Sequence, residues 1–159
     1  MIETIWIGHL LRETATSPYR HLVTRPTGAA VRTRIEDALA RSDCLTALLD
    51  FSDIELLDFS CAEEIVAKLL LAQASPRPRF VVLRGLRDDQ HDAIAQVLTH
   101  HRLAVAALIA DGDPLLLGWV SPDARPRRHR LVNAARASGE TQPRSSGSPS
   151  AMSAATASR

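Results

Sequence analysis

The sequence predicts an α/β protein in which helices pack on a mixed β-sheet. Short apolar runs typical of buried strands alternate with longer segments whose apolar residues recur at helical spacing. Clusters of Pro, Gly, Asp and Ser, which are turn formers, separate the two kinds of segment. Aromatic residues make up 4% of the chain against 45% for all hydrophobic residues, so Leu, Ile, Val and Ala must build the core. Alternation of this kind is typical of a helix layer on a sheet.

In the first half of the chain, residues 2–8 are expected to form an edge strand and residues 21–25 a short strand. Thr27 is expected to cap a helix over residues 29–41, because a Thr hydroxyl accepts a hydrogen bond from a free N–H group of the first helical turn. Residues 45–51 are nearly all apolar, as in a strand that is covered on both faces.

The second half continues the alternation of strands and helices. Its expected elements are strand-like residues 54–57, a helix over 61–74, a strand over 80–84, a helix over 88–102, a strand over 103–109, a turn at 111–114 and a last strand over 115–120.

The formal net charge of +1 conceals an asymmetry between the domain and its tail. Residues 119–159 carry seven Arg against two acidic residues, whereas the preceding 118 residues carry 12 basic and 16 acidic ones. The domain is assigned to residues 1–120, followed by a basic segment over 121–137 in which 126–137 suits a short helix. Residues 138–159 are rich in Ser, Ala, Gly, Pro and Thr and are expected to be disordered. The basic segment lacks interleaved aromatic residues, so no nucleic-acid partner is expected.

Cysteine usage and hydropathy indicate a cytoplasmic protein. Cys44 and Cys61 are isolated and form no CxxC pair, which is typical of reduced thiols. The N-terminal residues lack the basic start and apolar run of a signal peptide. The longest apolar runs are too short to cross a bilayer, so no membrane association is expected.

The most informative stretch is residues 45–71, LTALLDFSDIELLDFSCAEEIVAKLLL, which is expected to form a strand, a polar turn and a helix. Ser60 falls where the helix should begin, and Ser60-x-x-Glu63 has the spacing of a capping box. A phosphate on Ser60 would suit the positive end of the helix dipole, but Asp58, Glu63 and Glu64 would repel it. We therefore expect Ser60 to act first as a helix cap, while it remains the candidate phosphorylation site.

The same stretch resembles the STAS domain, the module of sulfate transporters and anti-sigma factor antagonists. Those domains typically read strand, Asp-Leu-Ser-Gly-Val, then Asp-Ser-Ser-Gly and a helix, and DFSDI at 50–54 followed by DFSC at 58–61 matches this spacing without gaps. SCAEE at 60–64 is similar to the Ser-Phe-Ala-Asp-Glu that opens the helix in one STAS-like branch. The resemblance covers roughly residues 20–118 and implies a STAS-like mixed sheet with helices packed on it.

The chain departs from the family pattern at the phosphoacceptor. In anti-sigma factor antagonists this residue is usually the first serine of Asp-Ser-Ser-Gly, and Phe59 occupies that position here. Asp53 and Cys61 replace the two glycines of the motifs. The resemblance therefore implies the fold and the recognition surface more than the phosphorylation switch.

As to function, the resemblance implies a bacterial signalling module that regulates transcription by protein–protein interaction and not by catalysis. The implied partner is a histidine-kinase-fold Ser/Thr kinase or an anti-sigma factor. The alternative is a ligand-sensing or scaffold STAS-like module without a phosphorylation switch. The expected partner-binding residues are Asp58, Ser60, Glu63 and Glu64, with Thr24, Arg25 and Thr27 on a neighbouring loop.

Enzyme function is not expected. The chain has none of the motifs GxGxxG, GxxxxGK[ST], HExxH and GxSxG. Cys61 at a helix start could be a reactive thiol, but neighbouring carboxylates oppose the thiolate and a packed small side chain is expected. His100 and His101 are adjacent on a helix and point in different directions, which favours a solvated surface over metal binding. No cofactor or metal is expected.

Overall fold

The computed structural model describes residues 1–15, 20–73, 79–110 and 113–121. These residues fall within one compact unit, Met1–Arg125. The helix expected over 126–137 and the disorder expected over 138–159 lie outside the described residues, as does part of the turn expected at 111–114.

A five-stranded mixed sheet forms the centre of the described region, and the α/β prediction is confirmed. In spatial order its strands are β1 (Ile2–Trp6), β3 (Thr46–Asp50), β5 (Phe80–Arg84), β6 (Ala104–Leu108) and β7 (Pro114–Gly118). The first four strands are parallel, and β7 pairs antiparallel with β6 at the edge. Strands β2 (His21–Leu22) and β4 (Leu56–Leu57) form a separate parallel pair.

Four helices connect the strands of the described region. They are α1 (Ile7–Thr14), α2 (Arg25–Ala40), α3, which runs without a break through Phe59–Ala62, Glu63–Ala67 and Lys68–Ala72, and α4 (Asp88–His100). Each crossover moves the chain to the next parallel strand in the same direction, so right-handed connections place the helices on one face of the sheet. Neighbouring helices contact one another in that layer, α1 with α2, α2 with α3, and α3 with α4.

The core lies between this helix layer and the sheet. Alternate strand residues point to opposite faces, and those that point to the helices are buried. They include Ile5, Ala47, Leu49, Val81, Leu83, Val105 and Ala107, which pack in one cluster with Val31 and Ile35 of α2, Ile65 and Leu69 of α3, and Ile94 and Leu98 of α4. The expectation that residues 45–51 are covered on both faces is not met within the described residues, since Leu48 on the other face is only half-buried.

Helix starts differ from the sequence predictions in three places. The strand expected over residues 2–8 ends at Trp6, and helix α1, which was not predicted, follows it directly. Helix α2 begins at Arg25, where Thr24 is the N-cap and its hydroxyl accepts the Thr27 N–H at 3.4 Å. Thr27 is therefore not the cap, because Pro26 belongs to the first turn, where proline is favoured. Helix α3 begins at Phe59, two residues earlier than expected.

A polar cluster stabilises the end of β3. The carboxylate of Asp50, which is 2% exposed, accepts hydrogen bonds from the Ser52 N–H at 2.9 Å and the Arg84 Nε–H at 2.8 Å. Burial would raise the pKa of Asp50, but these hydrogen bonds more than offset it and hold the pKa below its usual value. Next to the cluster, Gly85 has φ +72°, and a Cβ there would lie 2.2 Å from Ser52 Oγ, so only glycine fits.

We predict that Asp50→Asn lowers the free energy of unfolding by about 1–3 kcal/mol, because it leaves the Arg84 guanidinium without its carboxylate. Urea denaturation at pH 7 measures the change. Asp53→Asn is the matched control, because the half-exposed Asp53 lies 3.5 Å from Arg12 and should cost no more than about 0.5 kcal/mol. Equal effects of the two variants would contradict a structural role for the buried pair.

Candidate functional site

The N-termini of α2 and α3 meet in close contact, and this contact builds the site. A Cβ on Gly28 would lie 3.0 Å from the Cys61 Cα and 3.2 Å from the Glu64 Cβ, so glycine lets the two helices approach. The Cys61 thiol donates a hydrogen bond to the Thr24 carbonyl at 3.0 Å. This contact brings the loop that carries Thr24 to the turn at which α3 begins.

Asp58, not Ser60, is the N-cap of α3. Its carboxylate accepts the Cys61 N–H at 2.8 Å, and the Ser60 hydroxyl donates to both of its oxygens at 2.8 and 3.0 Å. The capping box predicted for Ser60 and Glu63 is therefore wrong. An aspartate is as good an N-cap as a serine, and the helix takes the earlier of the two.

Glu64 lies at the centre of the contact between the helices and is only 2% exposed. Its carboxylate accepts a hydrogen bond from Arg25 Nη1 at 2.8 Å, lies 3.5 Å from Arg32 Nη2, and also pairs with Lys68. Burial would raise the pKa of Glu64, but the hydrogen bonds from Lys68 and Arg25 offset it and leave the pKa lowered. A buried carboxylate that keeps its charge in this way ties α2 and α3 together.

Glu63 extends the same network to α4. Its carboxylate pairs with Arg25 Nη2 at 2.7 Å and with His101 Nε2 at 2.9 Å. Hydrogen bonds from Arg25 and His101 lower the pKa of Glu63. The helix is π-helical from Glu63 to Ala67, and the Lys68 N–H bonds to the Glu63 carbonyl five residues earlier. Such a local widening of a helix is frequent at functional sites.

A cleft opens beside this network. Its volume is about 370 Å³. Phe59 borders the cleft with 53% of its surface exposed, although it stands in the first turn of a helix whose other side is core. The cleft is lined by Arg25, Phe59, Ser60, Glu63, Gln96, Val97, His100 and His101.

The structure brings the residues predicted for partner binding together at this junction. Two of them do not hold the positions expected. Glu64 is buried instead of exposed, and Ser60 is bonded to Asp58 instead of capping the helix. The residues placed there are Thr24, Arg25 and Thr27 at the start of α2, and Asp58, Ser60, Glu63 and Glu64 at the start of α3.

Sequence reasoning missed two residues of the site. His101 was expected to be solvated surface, but it pairs with Glu63, which lies 38 positions earlier in the chain, and no local pattern indicates such a contact. For Phe59, the sequence analysis considered only its place in the phosphoacceptor position. The available signal was its place between two polar residues, Asp58 and Ser60, at the start of a helix, where the polar neighbours indicate the solvent-facing side.

Cys61 has the chemistry of a packed side chain. It is buried, and its desolvation together with the negative charge of Asp58 raises the thiol pKa to about 12. The thiol is therefore protonated at neutral pH, and a protonated thiol is a poor nucleophile.

Two features are absent from the part of the chain that the structure describes. That part contains no group of three or more His, Cys, Asp or Glu residues placed to hold a metal ion. None of its helices is long and apolar enough to cross a membrane.

Comparison with protein-family models, with curated proteins and with solved structures finds no match for this chain.

We predict that Glu64→Gln destabilises the protein at pH 7 by about 1–3 kcal/mol, because Arg25 and Lys68 lose their buried counter-charge. The carboxylate has a lowered folded-state pKa, so its contribution is complete above the unfolded-state pKa of about 4.3 and disappears as the pH falls through the folded-state value. Urea denaturation from pH 7 to pH 3 should therefore show the variant approaching the wild type.

Glu55→Gln is the control for this series, because the exposed Glu55 lies 3.3 Å from Arg20 and its loss should cost at most about 1 kcal/mol. A gap between wild type and Glu64→Gln that stays constant down to pH 3 would show that the buried charge is not what stabilises the junction.

We predict that Cys61 in the folded protein resists iodoacetamide at pH 7, because its thiol is buried and protonated. A Cys44→Ala background leaves Cys61 as the only cysteine, and mass spectrometry then follows its alkylation with and without urea. Alkylation of the folded protein as fast as that of the unfolded one would refute this assignment and revive a thiol-based activity.

Proposed function

We propose that this chain is a non-catalytic, STAS-like interaction module of the bacterial cytoplasm that binds a histidine-kinase-fold Ser/Thr kinase or an anti-sigma factor. The binding surface is the elbow, defined as residues 58–64, together with the start of α2. The observation that carries this proposal is the exposed Phe59 on a turn that the Asp58 cap and the Arg25–Glu63 ion pair hold in place.

Phe59 supplies the apolar anchor of the proposed surface. Aromatic side chains dominate the energetics of protein interfaces when they enter a pocket of the partner. The charged groups around the ring are already fixed, since Arg25 is bound by Glu63 and Glu64 and its pKa is raised by those hydrogen bonds. A surface ordered before binding loses less conformational entropy in the complex.

The protonation states of the site support binding and not catalysis. The carboxylates of Glu63 and Glu64 have lowered pKa values and are held by cations, which is unsuited to proton transfer near neutral pH. The Cys61 thiol has a raised pKa, which is unsuited to nucleophilic attack.

Docking at the elbow is proposed to be independent of phosphorylation. The Ser60 hydroxyl donates to the carboxylate of Asp58, and a phosphate in its place would turn this attraction into repulsion at the N-cap. Phe59, in the family's phosphoacceptor position, has no hydroxyl. The elbow would then hold its partner through shape and apolar contact.

We predict that Phe59→Ala weakens partner binding at least tenfold, because an anchor aromatic is worth about 2 kcal/mol or more. The tagged full-length protein is first used to isolate its partner, which mass spectrometry identifies, and calorimetry with the purified partner then gives the affinity. Ser60→Ala should leave the affinity within about twofold, because the hydroxyl points back to Asp58.

Leu71→Ala is the matched control, because Leu71 is also about half exposed on α3 but lies at its far end. A partner that is neither a kinase-fold protein nor an anti-sigma factor would refute the proposed partner class. Equal loss of affinity with Phe59→Ala and Leu71→Ala would refute the elbow as the binding surface. The cleft, which Phe59 and Val97 border, suits a small ligand as the alternative occupant. A small molecule that raises the melting temperature of the wild type but not of Phe59→Ala, with no protein partner, would establish that alternative.

A further inference from the structure

The face of the sheet that points away from the helices is largely apolar, with Thr4 and Thr46 as polar exceptions, and lies uncovered within the described residues. The strand register places Leu48, Val82, Ala106 and Leu116 in one row across four neighbouring strands, and all four side chains are half-buried. Their positions alternate with the buried residues that face the helix layer.

Large side chains flank this row. Phe80 is 70% exposed, Ile2 66% and Trp6 51%. The strand register places all three on the same face of the sheet as the central row. Parallel sheets in soluble proteins are almost always covered on both faces. The largest apolar patch of a soluble monomer measures about 300–600 Å² and is often a functional surface.

We propose that a second copy of this chain covers the face, so that two sheets pack against each other in a symmetric dimer. Charge favours this occupant over a charged partner. Among the described strands, the charged residues on this face are Asp50 and Arg84, and they neutralise each other. The Arg84 guanidinium also lies 5.6 Å from the Trp6 ring. An identical neutral surface meets this face without net repulsion, whereas an acidic or basic partner would find no complementary charge on it.

The available area also suits a dimer. An aromatic side chain presents about 150–250 Å², so Phe80 and Trp6 at their observed exposures, with Ile2 and the half-buried row, offer roughly 500–600 Å² per copy. Two such faces bury roughly 1,000–1,200 Å², which reaches the lower range of specific interfaces. Two twisted sheets pack in this way at about 10 Å separation in β-sandwiches.

Val82 is the residue that a symmetric dimer must place at its centre. It lies in the middle of β5, the middle strand of five, between Leu48 and Ala106. Any two-fold axis through the centre of the face brings Val82 of one copy against Val82 of the other. The elbow belongs to the helix layer on the opposite side of the sheet, so this inference does not rest on the proposed partner.

Sedimentation equilibrium of the full-length protein tests the proposal. The wild type should be dimeric, whereas Val82→Glu and Val82→Lys should each be monomeric, because like charges then meet across the axis. An equimolar mixture of the two variants should regain the dimer, since Glu now faces Lys. Ala30→Glu, which places the same charge at an exposed position of α2, should remain dimeric.

A wild type that stays monomeric at its highest soluble concentration would overturn the proposal without recourse to any variant. A dimer that persists in both Val82 variants would also overturn it, because the interface would then lie elsewhere. Circular dichroism confirms that the variants are folded, and the recovery of the dimer on mixing excludes a different occupant of the face.

Discussion

The buried carboxylate of Glu64 is the constraint on which the site depends. A charge that is 2% exposed must be neutralised inside the protein, and Arg25, Arg32 and Lys68 surround it. Arg25 and Arg32 belong to α2, so the same carboxylate fixes the start of that helix against the start of α3. Arg25 then also holds Glu63, which reaches on to α4. Phe59 lies one helical turn before Glu63, so the same network holds the turn that carries the Phe59 ring.

The local backbone serves the same arrangement. Gly28 removes the side chain that would separate α2 from α3, and Asp58 ends the extended segment by capping the new helix. The π-helical turn from Glu63 to Ala67 lets two adjacent glutamates engage two different neighbours, one in the interior and one at the cleft. The result is a rigid polar frame around one exposed aromatic ring, which is a suitable arrangement for recognition of a protein surface.

Local patterns predicted the sheet well and the site only in outline. Strand β5 was predicted residue for residue, because a short apolar run such as FVVLR between turn formers is typical of a buried strand. The cap of α3 was missed because Asp58 and Ser60 are equally good caps two residues apart. Helix α1 was missed because the apolar start of the chain suits a longer strand as well.

The remaining errors concern contacts between distant parts of the chain. Glu63 and Glu64 are indistinguishable in the sequence, and both bind the distant Arg25. Glu64, which also faces Arg32 of α2, is the buried one of the two. His101 is equally remote from its partner. The open sheet face was also not predicted, because an apolar strand is expected to be buried on both faces, and its sequence does not indicate which element packs on each face.

The two surfaces of the molecule are therefore separate, an elbow in the helix layer and an apolar sheet face behind it. Hydrogen exchange of the full-length protein with and without its isolated partner distinguishes binding at the elbow from binding at the sheet face. We expect added protection at residues 58–64 and at the start of α2, with no change at Val82. Protection confined to the strands of the sheet, with the elbow unaffected, would contradict the proposed docking at the elbow.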